Sequence, residues 1–505
     1  MNRKVASVAG FGLLFFFLVY LFLPTFSNPP HVDYWEAFFT FHQVRADPDL
    51  AVWPHIVNHD PWRHGTFRPL SYTTLYLQHV VFGRRFVFNH IANFFFYCLL
   101  LVLLFRLGRR LGARGPELGA FLAVYAVLYS HCDVLSLNFH IFLVAGFAAA
   151  VGAFLLYIRY LEGAPPALLI VVGLLFLSAL LAYETFVFWP PAVLILLYAK
   201  RHPGAPRRVL SFTGYLLGLL YGIYAAIFFF TRSASHISGD LPSVPLTALT
   251  EGLLYSLFNV LYTGFGVNVF PTLAYPGRYE GYSEMLGVMP ISPAPWLVPL
   301  AYAAATVALI LAGVLTFLLL RQGKRRTLAV AAFLGYLYLG NFSMLVAARS
   351  TTTDISHILR QFRYQLIPNA ILILLSALIF SALFQASRRS RVILVTTLTV
   401  LFLGNSFFTR RHIDTVTTNL SPLKELLNNI RTGIDRGDIT PDRRLYLPDG
   451  FAGSFPRLCW SRSMGRKMYG TYQWIFSPVE LRCFSLRPEG SYWTMDMDKG
   501  VYVRR

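Results

Sequence analysis

Residues 86–112 read FVFNHIANFFFYCLLLVLLFRLGRRLG, and the pattern of this stretch decides the class of protein. Its first twenty residues, 86–105, are mostly apolar, and three arginines follow within the next five positions. An apolar run of about 20 residues is long enough to cross the hydrocarbon core of a bilayer as a helix. Basic residues directly after such a run are typical of a span that ends at a membrane surface.

The same pattern recurs along most of the chain and predicts an all-α polytopic membrane protein with about eleven transmembrane helices. The 505 residues are 55% hydrophobic and 13% charged, and the mean hydropathy is +0.52. An ordinary soluble domain has about 25% charged residues, so composition excludes a soluble globular protein. The predicted spans are residues 5–23, 86–105, 117–130, 139–158, 167–182, 185–199, 209–230, 296–320, 327–347, 365–384 and 392–408.

The first of these segments, 5–23, follows Arg3 and Lys4 and could also be read as a secretory signal peptide. No small-x-small cleavage site comes after it, because the next residues are Pro24, Thr25 and Phe26. We therefore interpret the segment as a retained first span.

The net charge of +20 would suit a nucleic-acid partner, but the placement of the basic residues argues against one. They lie mainly in short loops between apolar segments, where they set orientation and contact anionic lipid. With eleven spans, all five basic clusters fall on one side, which we expect to be cytoplasmic together with the N-terminus. The clusters are Arg3–Lys4, Arg106–Arg114, Lys200–Arg208, Arg321–Arg326 and Arg388–Arg391.

The long loops 24–85, 231–295 and 348–364 are then external. Segment 247–270 is moderately apolar, and counting it as a span would move Arg321–Arg326 to the external side. We therefore predict that it is an interfacial or re-entrant helix within a transmembrane domain of residues 1–408.

Residues 409–505 are richer in glycine, proline and charge and predict a small external α+β C-terminal domain. Two runs in this tail, 444–447 and 500–503, alternate as strands do. Cys459 and Cys483 both lie there, and they could form a disulfide or remain two free thiols. The four cysteines of the chain show no zinc-binding spacing.

One acidic residue lies close to the predicted outer membrane surface. Asp33 comes about ten residues after the first span, in His31-Val-Asp33-Tyr-Trp-Glu36. Its carboxylate could accept a proton from an acceptor hydroxyl, or hold the acceptor or a metal ion. The alternative is an ordinary solvated loop carboxylate.

Other polar residues at predicted external positions complete the candidate set. Arginines 68, 360 and 363 could bind phosphate, since a guanidinium can bind two phosphate oxygens at once, while anchoring to lipid headgroups is the alternative. A carboxylate at Glu184, between two short apolar segments, is costly unless it is paired. The rings in loop 271–295 suit sugar binding or membrane anchoring equally. The remaining candidates are His131, Asp133, Tyr275, Tyr279 and Tyr282, whereas His90 and Asn93 are interpreted mainly as helix-packing residues.

The order of these residues resembles the GT-C-fold glycosyltransferases, most of all the transmembrane and TPR-containing O-mannosyltransferases and their bacterial relatives. The likeness covers residues 1–200 well and 320–410 loosely. This chain differs from the family in Tyr34 beside Asp33, in Tyr183 where the family has lysine, and in having no TPR array. The similar elements are Asp33, Arg68-Pro69-Leu70, Gly83, His90-x-x-Asn93, His131-x-Asp133, Tyr183-Glu184 and Arg363-Tyr364.

This resemblance implies an enzyme that transfers a sugar from a polyprenyl-phosphate donor to an extracytoplasmic glycan, lipid or protein, with inversion at the anomeric carbon. Asp33 would be the base, and the donor phosphate would be bound by Arg363, with Arg68 and Arg360 as further candidates. The residues implied to position the acceptor or a metal ion are Glu36, His131, Asp133 and Glu184. Whether a divalent cation, Mg²⁺ or Mn²⁺, takes part stays open.

The expected location is a bacterial inner membrane, with the external loops and the tail in the periplasm of the cell envelope. Two other functions remain open. A transporter or flippase of a lipid-linked glycan would need charged residues deep in its spans and internal repeats. A catalytically inactive glycan-binding membrane scaffold is the other, because Tyr34 and Tyr183 depart from the family pattern.

Overall fold

The computed structural model describes residues 3–28, 68–82, 85–136, 140–200, 207–233, 297–349, 365–383 and 388–440, residue 442 and four short C-terminal strands. Several predictions concern other residues, and segment 247–270 is one of them. The backbone of Asp133 is described, but its side chain is not. The predicted residues outside the described part are Asp33, Glu36, Tyr275, Tyr279, Tyr282, Arg360, Arg363, Cys459 and Cys483.

The described chain is predominantly helical, and each of the eleven predicted spans coincides with a helix. The helices are α1 (Arg3–Phe22), α2 (Pro69–Phe82), α3 (Phe86–Leu111), α4 (Gly115–Ala126), α5 (Cys132–Ser136), α6 (Ile141–Leu161), α7 (Leu168–Ala182), α8 (Ala192–Lys200), α9 (Arg207–Ser233), α10 (Leu297–Arg321), α11 (Arg325–Arg349), α12 (Leu366–Leu383) and α13 (Arg388–Asp435). Short 3₁₀ helices cover Leu23–Ser27, Tyr129–His131 and Glu184–Phe186.

Seven helices in the described residues are long and apolar enough to cross a membrane, and they lie in α1, α3, α6, α9, α11, α12 and α13. Helix α7 is apolar but shorter, with 15 residues. These findings confirm the polytopic all-α architecture, and we describe the chain as an integral membrane protein. Two of the predicted spans are shorter than expected. Helices α4 and α8 have 12 and 9 residues, about 18 and 14 Å, which is less than the hydrocarbon thickness of about 30 Å.

The ends of two helices follow from local sequence. Helix α3 ends at Leu111, directly before Gly112, whose φ of 112° lies in the left-handed region and lets its N–H bond the carbonyls of Gly108 and Arg109. Helix α7 ends where Tyr183 turns extended, with φ −157° and ψ 130°. Pro190 and Pro191 precede α8, a position where their missing N–H groups cost no helical hydrogen bond.

The core lies between α3, α6 and α7 and continues to α8, α11 and α12. Large aromatic rings fill its centre. The ring of Phe154 on α6 lies 5.1 Å from Phe176, 5.9 Å from Trp189 and 5.0 Å from Phe333, measured between ring centroids. Helices α7 and α11 and the segment before α8 therefore pack around one buried side chain of α6.

Contacts of three of the five basic clusters define one end of the bundle, which we call the basic end. Arg110 of α3 pairs with Glu162, and the Lys200 ammonium donates to the Arg110 carbonyl. The Lys324 ammonium donates to the carbonyl of Ala382 at the end of α12. The chain thus enters α7 and leaves α8 at the same end of α3, so that residues 183–186 turn at the opposite end, which we call the polar end.

The described part of the tail contains a small four-stranded sheet with strand order β2-β1-β3-β4. Its strands are β1 (Leu445–Tyr446), β2 (Phe484–Ser485), β3 (Trp493–Asp496) and β4 (Val501–Arg504). Strands β3 and β4 are antiparallel, whereas β1 runs parallel to both of its neighbours. Strand β1 lies within the run 444–447, and β4 overlaps the run 500–503 and extends to Arg504, which confirms the strand prediction for these runs. Helix α13 passes through the predicted domain boundary at 408 and ends at Asp435.

Candidate functional site

The first group of polar residues at the polar end forms where α2 begins. Arg68 lies directly before α2, and its carbonyl accepts the N–H of Ser71 at 3.1 Å. Pro69 is the first residue of the helix, where its fixed φ and missing N–H suit the first helical position. The Arg-Pro-Leu sequence is therefore a helix start, and the Arg68 side chain extends from it to a neighbouring element.

That neighbouring element is the break between α7 and α8. The hydroxyl of Ser71 donates to the carbonyl of Ala182, the last residue of α7, at 2.5 Å. The last carbonyls of a helix have no partner within the helix, so a side chain from another element stabilises them. This contact holds the start of α2 against the end of α7, and the next residues, Tyr183 and Glu184, face Arg68.

Arg68 and Glu184 form a buried ion pair with two parallel hydrogen bonds. Arg68 Nε donates to Glu184 Oε2 at 2.6 Å and Nη2 donates to Oε1 at 2.5 Å. The side chains are only 6% and 9% exposed. Charges that lose water are stabilised only by good geometry of this kind. The pair therefore satisfies the expectation that a carboxylate at Glu184 would be costly unless paired.

Aromatic rings flank the guanidinium. Arg68 Cζ lies 3.9 Å from the centroid of the Tyr183 ring and 6.0 Å from that of Phe142. The two rings are nearly parallel, with centroids 5.9 Å apart and an interplanar angle of 20°. A cation over an aromatic face is attracted by the ring quadrupole, most strongly where water is excluded. Tyr183 thus stabilises the charge of Arg68 from a direction that Glu184 leaves open.

The break after Glu184 is also fastened to α9 and α11. The Thr185 hydroxyl donates to Asn341 Oδ1 on α11 at 2.5 Å. The Tyr221 hydroxyl of α9 donates to the carbonyl of Val187. Both partners lie inside apolar helices, where the sequence gives no sign of what they bind.

A second group of polar residues surrounds His131, which is fully buried. The Tyr97 hydroxyl lies 3.0 Å from the Ala126 carbonyl and 2.8 Å from His131 Nδ1. The carbonyl can only accept, so the single hydroxyl proton of Tyr97 goes to Ala126 and His131 Nδ1 must donate to Tyr97. This assigns the proton to Nδ1 and leaves Nε2 as a lone-pair acceptor, which has no hydrogen-bond partner among the described residues.

The surroundings of His131 keep its ring neutral. The Tyr125 ring meets it edge-on, with centroids 4.5 Å apart. Burial lowers the pKa of His131 to about 3, since the charged form would lose its water. His131 can accept a hydrogen bond at Nε2, but it carries no charge near neutral pH.

Side chains from three helices hold the loop that carries His131, and a fourth contact ties α4, which precedes the loop, to α12. Asn369 Nδ2 of α12 donates to Ser130 Oγ at 3.0 Å, and Thr409 of α13 donates to the Val127 carbonyl at 3.0 Å. Asn93 Nδ2 of α3 donates to the Val134 carbonyl at 2.7 Å. The Tyr125 hydroxyl of α4 donates to the Leu366 carbonyl at 2.9 Å. Several of these bonds satisfy backbone carbonyls at or just beyond helix ends.

The predicted site residues therefore fall into three sets. Arg68 and Glu184 meet directly, and His131 lies in the second polar group at the same end. Asp133 follows in α5, whereas the other predicted site residues lie outside the described part of the chain. His90 and Asn93 make packing contacts, since His90 stacks on Phe26 with centroids 6.4 Å apart. Within the described residues, no group of three or more metal-binding side chains comes together.

Sequence reasoning missed several residues of these two groups, namely Ser71, Tyr97, Tyr125, Asn341 and Asn369. Ser71 lies in the predicted external loop 24–85, and the other four are polar residues within predicted helices of a hydrophobic chain. Such residues are expected to face the interior of the bundle, and that signal could have identified them as a set.

Comparisons with known proteins give matches among solved structures. No protein-family model matches the chain, and no curated protein matches it. Among solved structures, the chain is similar to ArnT from Cupriavidus metallidurans, in a crystal structure bound to undecaprenyl phosphate. The identity is 12%, the TM-score is 0.41, and the alignment covers 88% of this chain and 82% of that chain. At this TM-score the likeness supports no conclusion about this chain.

Proposed function

We propose that this chain is a glycosyltransferase of the GT-C type, which transfers a sugar from a polyprenyl-phosphate donor to an extracytoplasmic glycan, lipid or protein. The observation that carries the proposal is the Arg68–Glu184 pair. Two elements of the family resemblance, 116 residues apart in sequence, are joined by a buried two-bond ion pair. If the two short motifs resembled the family only by chance, there would be no reason to expect their residues to be in contact.

Two further elements of the resemblance also meet at the polar end. The His90-x-x-Asn93 element lies on α3, and Asn93 binds the Val134 carbonyl in the loop that carries the His131-x-Asp133 element. One turn further along α3, Tyr97 binds the imidazole of His131. These contacts lie opposite the basic end, and the positive-inside rule makes the polar end the outer one. We propose a bacterial inner membrane with the N-terminus cytoplasmic and the tail in the periplasm.

Tyr183 stands where the family has lysine, and its contact with Arg68 supports an intact site. A lysine at this position would bring a second cation toward the Arg68 guanidinium. The Tyr183 ring instead attracts that guanidinium at 3.9 Å. The substitution therefore preserves the pair, which speaks for a working enzyme and against an inactive scaffold.

In the proposed reaction, the Asp33 carboxylate takes the proton of an acceptor hydroxyl. The hydroxyl oxygen bonds to the anomeric carbon, the bond from that carbon to the phosphate oxygen breaks, and the electron pair leaves with the polyprenyl phosphate. Arg363 and Arg360 would bind this phosphate. Arg68 directs two of its N–H groups at Glu184, so we assign the pair to positioning the helix break. The other proposed contacts with acceptor, sugar or a divalent cation are Glu36, His131, Asp133, Tyr275, Tyr279 and Tyr282.

Sugar transfer by the purified chain in nanodiscs tests the proposal. Wild type would be compared with Asp33→Asn, using a panel of radiolabelled polyprenyl-phosphate monosaccharides and a crude membrane extract as acceptor. Asp47→Asn is the matched control, since it removes a carboxylate from the same predicted loop. We expect transfer by wild type and the control, and a loss of at least about 100-fold in the folded Asp33 variant. Equal transfer by both variants would move the base elsewhere, and absence of transfer with every donor would favour a transporter.

A further inference from the structure

The basic end of the bundle carries a cluster of cations that the proposed reaction does not use. Arg110 at the end of α3 pairs with Glu162, and Lys200 at the end of α8 donates to the Arg110 carbonyl. Arg326 lies in the first turn of α11, and α11 packs against α8, the helix that ends at Lys200. The ends of three helices thus place Arg110, Lys200 and Arg326 around one point of the surface.

The positive charge of this cluster is largely unbalanced. The segments that form it, 106–117, 159–162, residue 200 and 321–326, contain ten lysines and arginines but only two glutamates. Glu162 is already engaged by Arg110. Partial burial lowers the pKa of Lys200, and the charges of Arg326 and Arg110 lower it further against the opposing effect of Glu162. Like charges held this close gain free energy when an anion binds among them.

Apolar side chains border the cluster on the side of the membrane. Tyr198 and Leu194 of α8 are 73% and 42% exposed, and Phe317 and Leu320 of α10 are 61% and 53% exposed. They lie within two turns of the helix ends that carry Lys200 and Arg321. A ligand that contacts both the cations and these apolar side chains must combine an anionic group with an apolar part.

We infer that the basic end binds an anionic phospholipid, with the headgroup phosphate at Lys200 and Arg326 and the acyl chains against the exposed residues of α8 and α10. A soluble phosphate would satisfy the cations alone and would leave the apolar border uncovered. Basic pockets between helices on the cytoplasmic side of membrane proteins bind anionic headgroups in this way. The site is independent of the proposed sugar transfer, because it lies at the other end of the bundle.

Native mass spectrometry of the delipidated full-length protein tests this inference by titration with phosphatidylglycerol, phosphatidylcholine or glycerol phosphate. The test variant is Lys200→Gln/Arg326→Gln. The control Arg85→Gln/Arg411→Gln removes the same charge from exposed arginines at the polar end. A second variant, Lys200→Arg/Arg326→Lys, keeps both charges.

We expect wild type to bind phosphatidylglycerol more tightly than phosphatidylcholine, and the test variant to bind it about 30-fold more weakly, since each cation beside an anionic lipid contributes about fivefold. The control and the charge-keeping variant should stay within about twofold of wild type. Equal binding of the two lipids, or unchanged binding by the test variant, would overturn the inference. Displacement of the lipid by glycerol phosphate would do so too, by indicating a free-phosphate site. If the test variant fails to fold, Arg326→Gln alone replaces it, with an expected loss of about fivefold.

Discussion

Replacing Glu184 with glutamine isolates the energetic role of the buried ion pair at the polar end. The substitution keeps the shape of the side chain but leaves the Arg68 cation 6% exposed without its carboxylate. Removing one partner of a buried ion pair costs about 3–5 kcal/mol, because the remaining charge has lost its water. The Tyr183 ring 3.9 Å from Arg68 Cζ attracts the cation before and after the substitution, so it leaves this difference unchanged. We therefore expect a loss of about 3–5 kcal/mol in the free energy of unfolding.

The assay is reversible unfolding by SDS titration in mixed micelles, with Glu162→Gln as the matched control. Glu162 also pairs with an arginine, but its side chain is 42% exposed, so its removal should cost less than about 1 kcal/mol. A double-mutant cycle with Arg68→Met should give a coupling energy of about 2 kcal/mol or more, because the double variant buries neither charge. If Glu184→Gln and Glu162→Gln lose the same stability, the buried pair does not hold the helix break in place. The role assigned to the Arg68–Glu184 pair in the proposed site would then be wrong.

Three further predictions concern the same end of the bundle and the close packing of its helices. His131 has a pKa of about 3 when folded and about 6.5 when unfolded, so its contribution to stability is complete above pH 6.5 and is lost as the pH falls toward 3. Between pH 7.5 and pH 5, measured by the same titration, wild type should therefore lose about 2 kcal/mol of unfolding free energy that His131→Gln keeps. Ser71→Ala should cost about 1–2 kcal/mol of unfolding free energy in that titration, because it leaves the buried Ala182 carbonyl unpaired. The control Thr74→Ala removes only a bond within α2 and should cost less than half as much. Gly340→Ala would place a Cβ 2.8 Å from the Cβ of Phe188 and should lower the melting temperature through a loss of about 1–3 kcal/mol. The control Gly335→Ala on the same helix meets open space and should leave the melting temperature unchanged or raise it.

The architecture could be predicted because the bilayer allows few alternatives. A segment of about 20 apolar residues has to become a helix, since its backbone groups find no water to bind in the hydrocarbon core. The basic clusters then limit how the spans can alternate, and Arg110 and Lys200, which belong to different clusters, indeed meet at one end. What hydropathy could not provide is length. Segments 117–130 and 185–199 are mainly apolar, yet α4 ends early at Ala126, and α8 begins late at Ala192, directly after Pro190 and Pro191.

The candidate site could be predicted only in part, because its partners are separated widely in sequence. A carboxylate between two apolar segments indicated that Glu184 needs a partner, but several arginines were equally suitable. The choice of Arg68 depends on the bond from Ser71 to Ala182, which docks the start of α2 at the end of α7. No pattern in either segment encodes that contact. The proton on His131 Nδ1 likewise depends on Tyr97, a residue that hydropathy assigns to an ordinary apolar span.

The polar groups of this bundle lie at helix ends for a physical reason. A helix that stops inside a protein leaves carbonyls without partners, and in a chain surrounded by lipid no water reaches them from the side. Here Ser71 binds the last carbonyl of α7, Tyr97 binds the last carbonyl of α4, and Thr409 binds the carbonyl of Val127 just beyond it. Once such side chains are required, ionisable residues can be added beside them at lower cost than in mid-span, because their neighbours are already polar. The short helices α4 and α7 therefore do more than shorten the path through the membrane: by ending early, they create the polar surroundings in which His131 and the Arg68–Glu184 pair are stable.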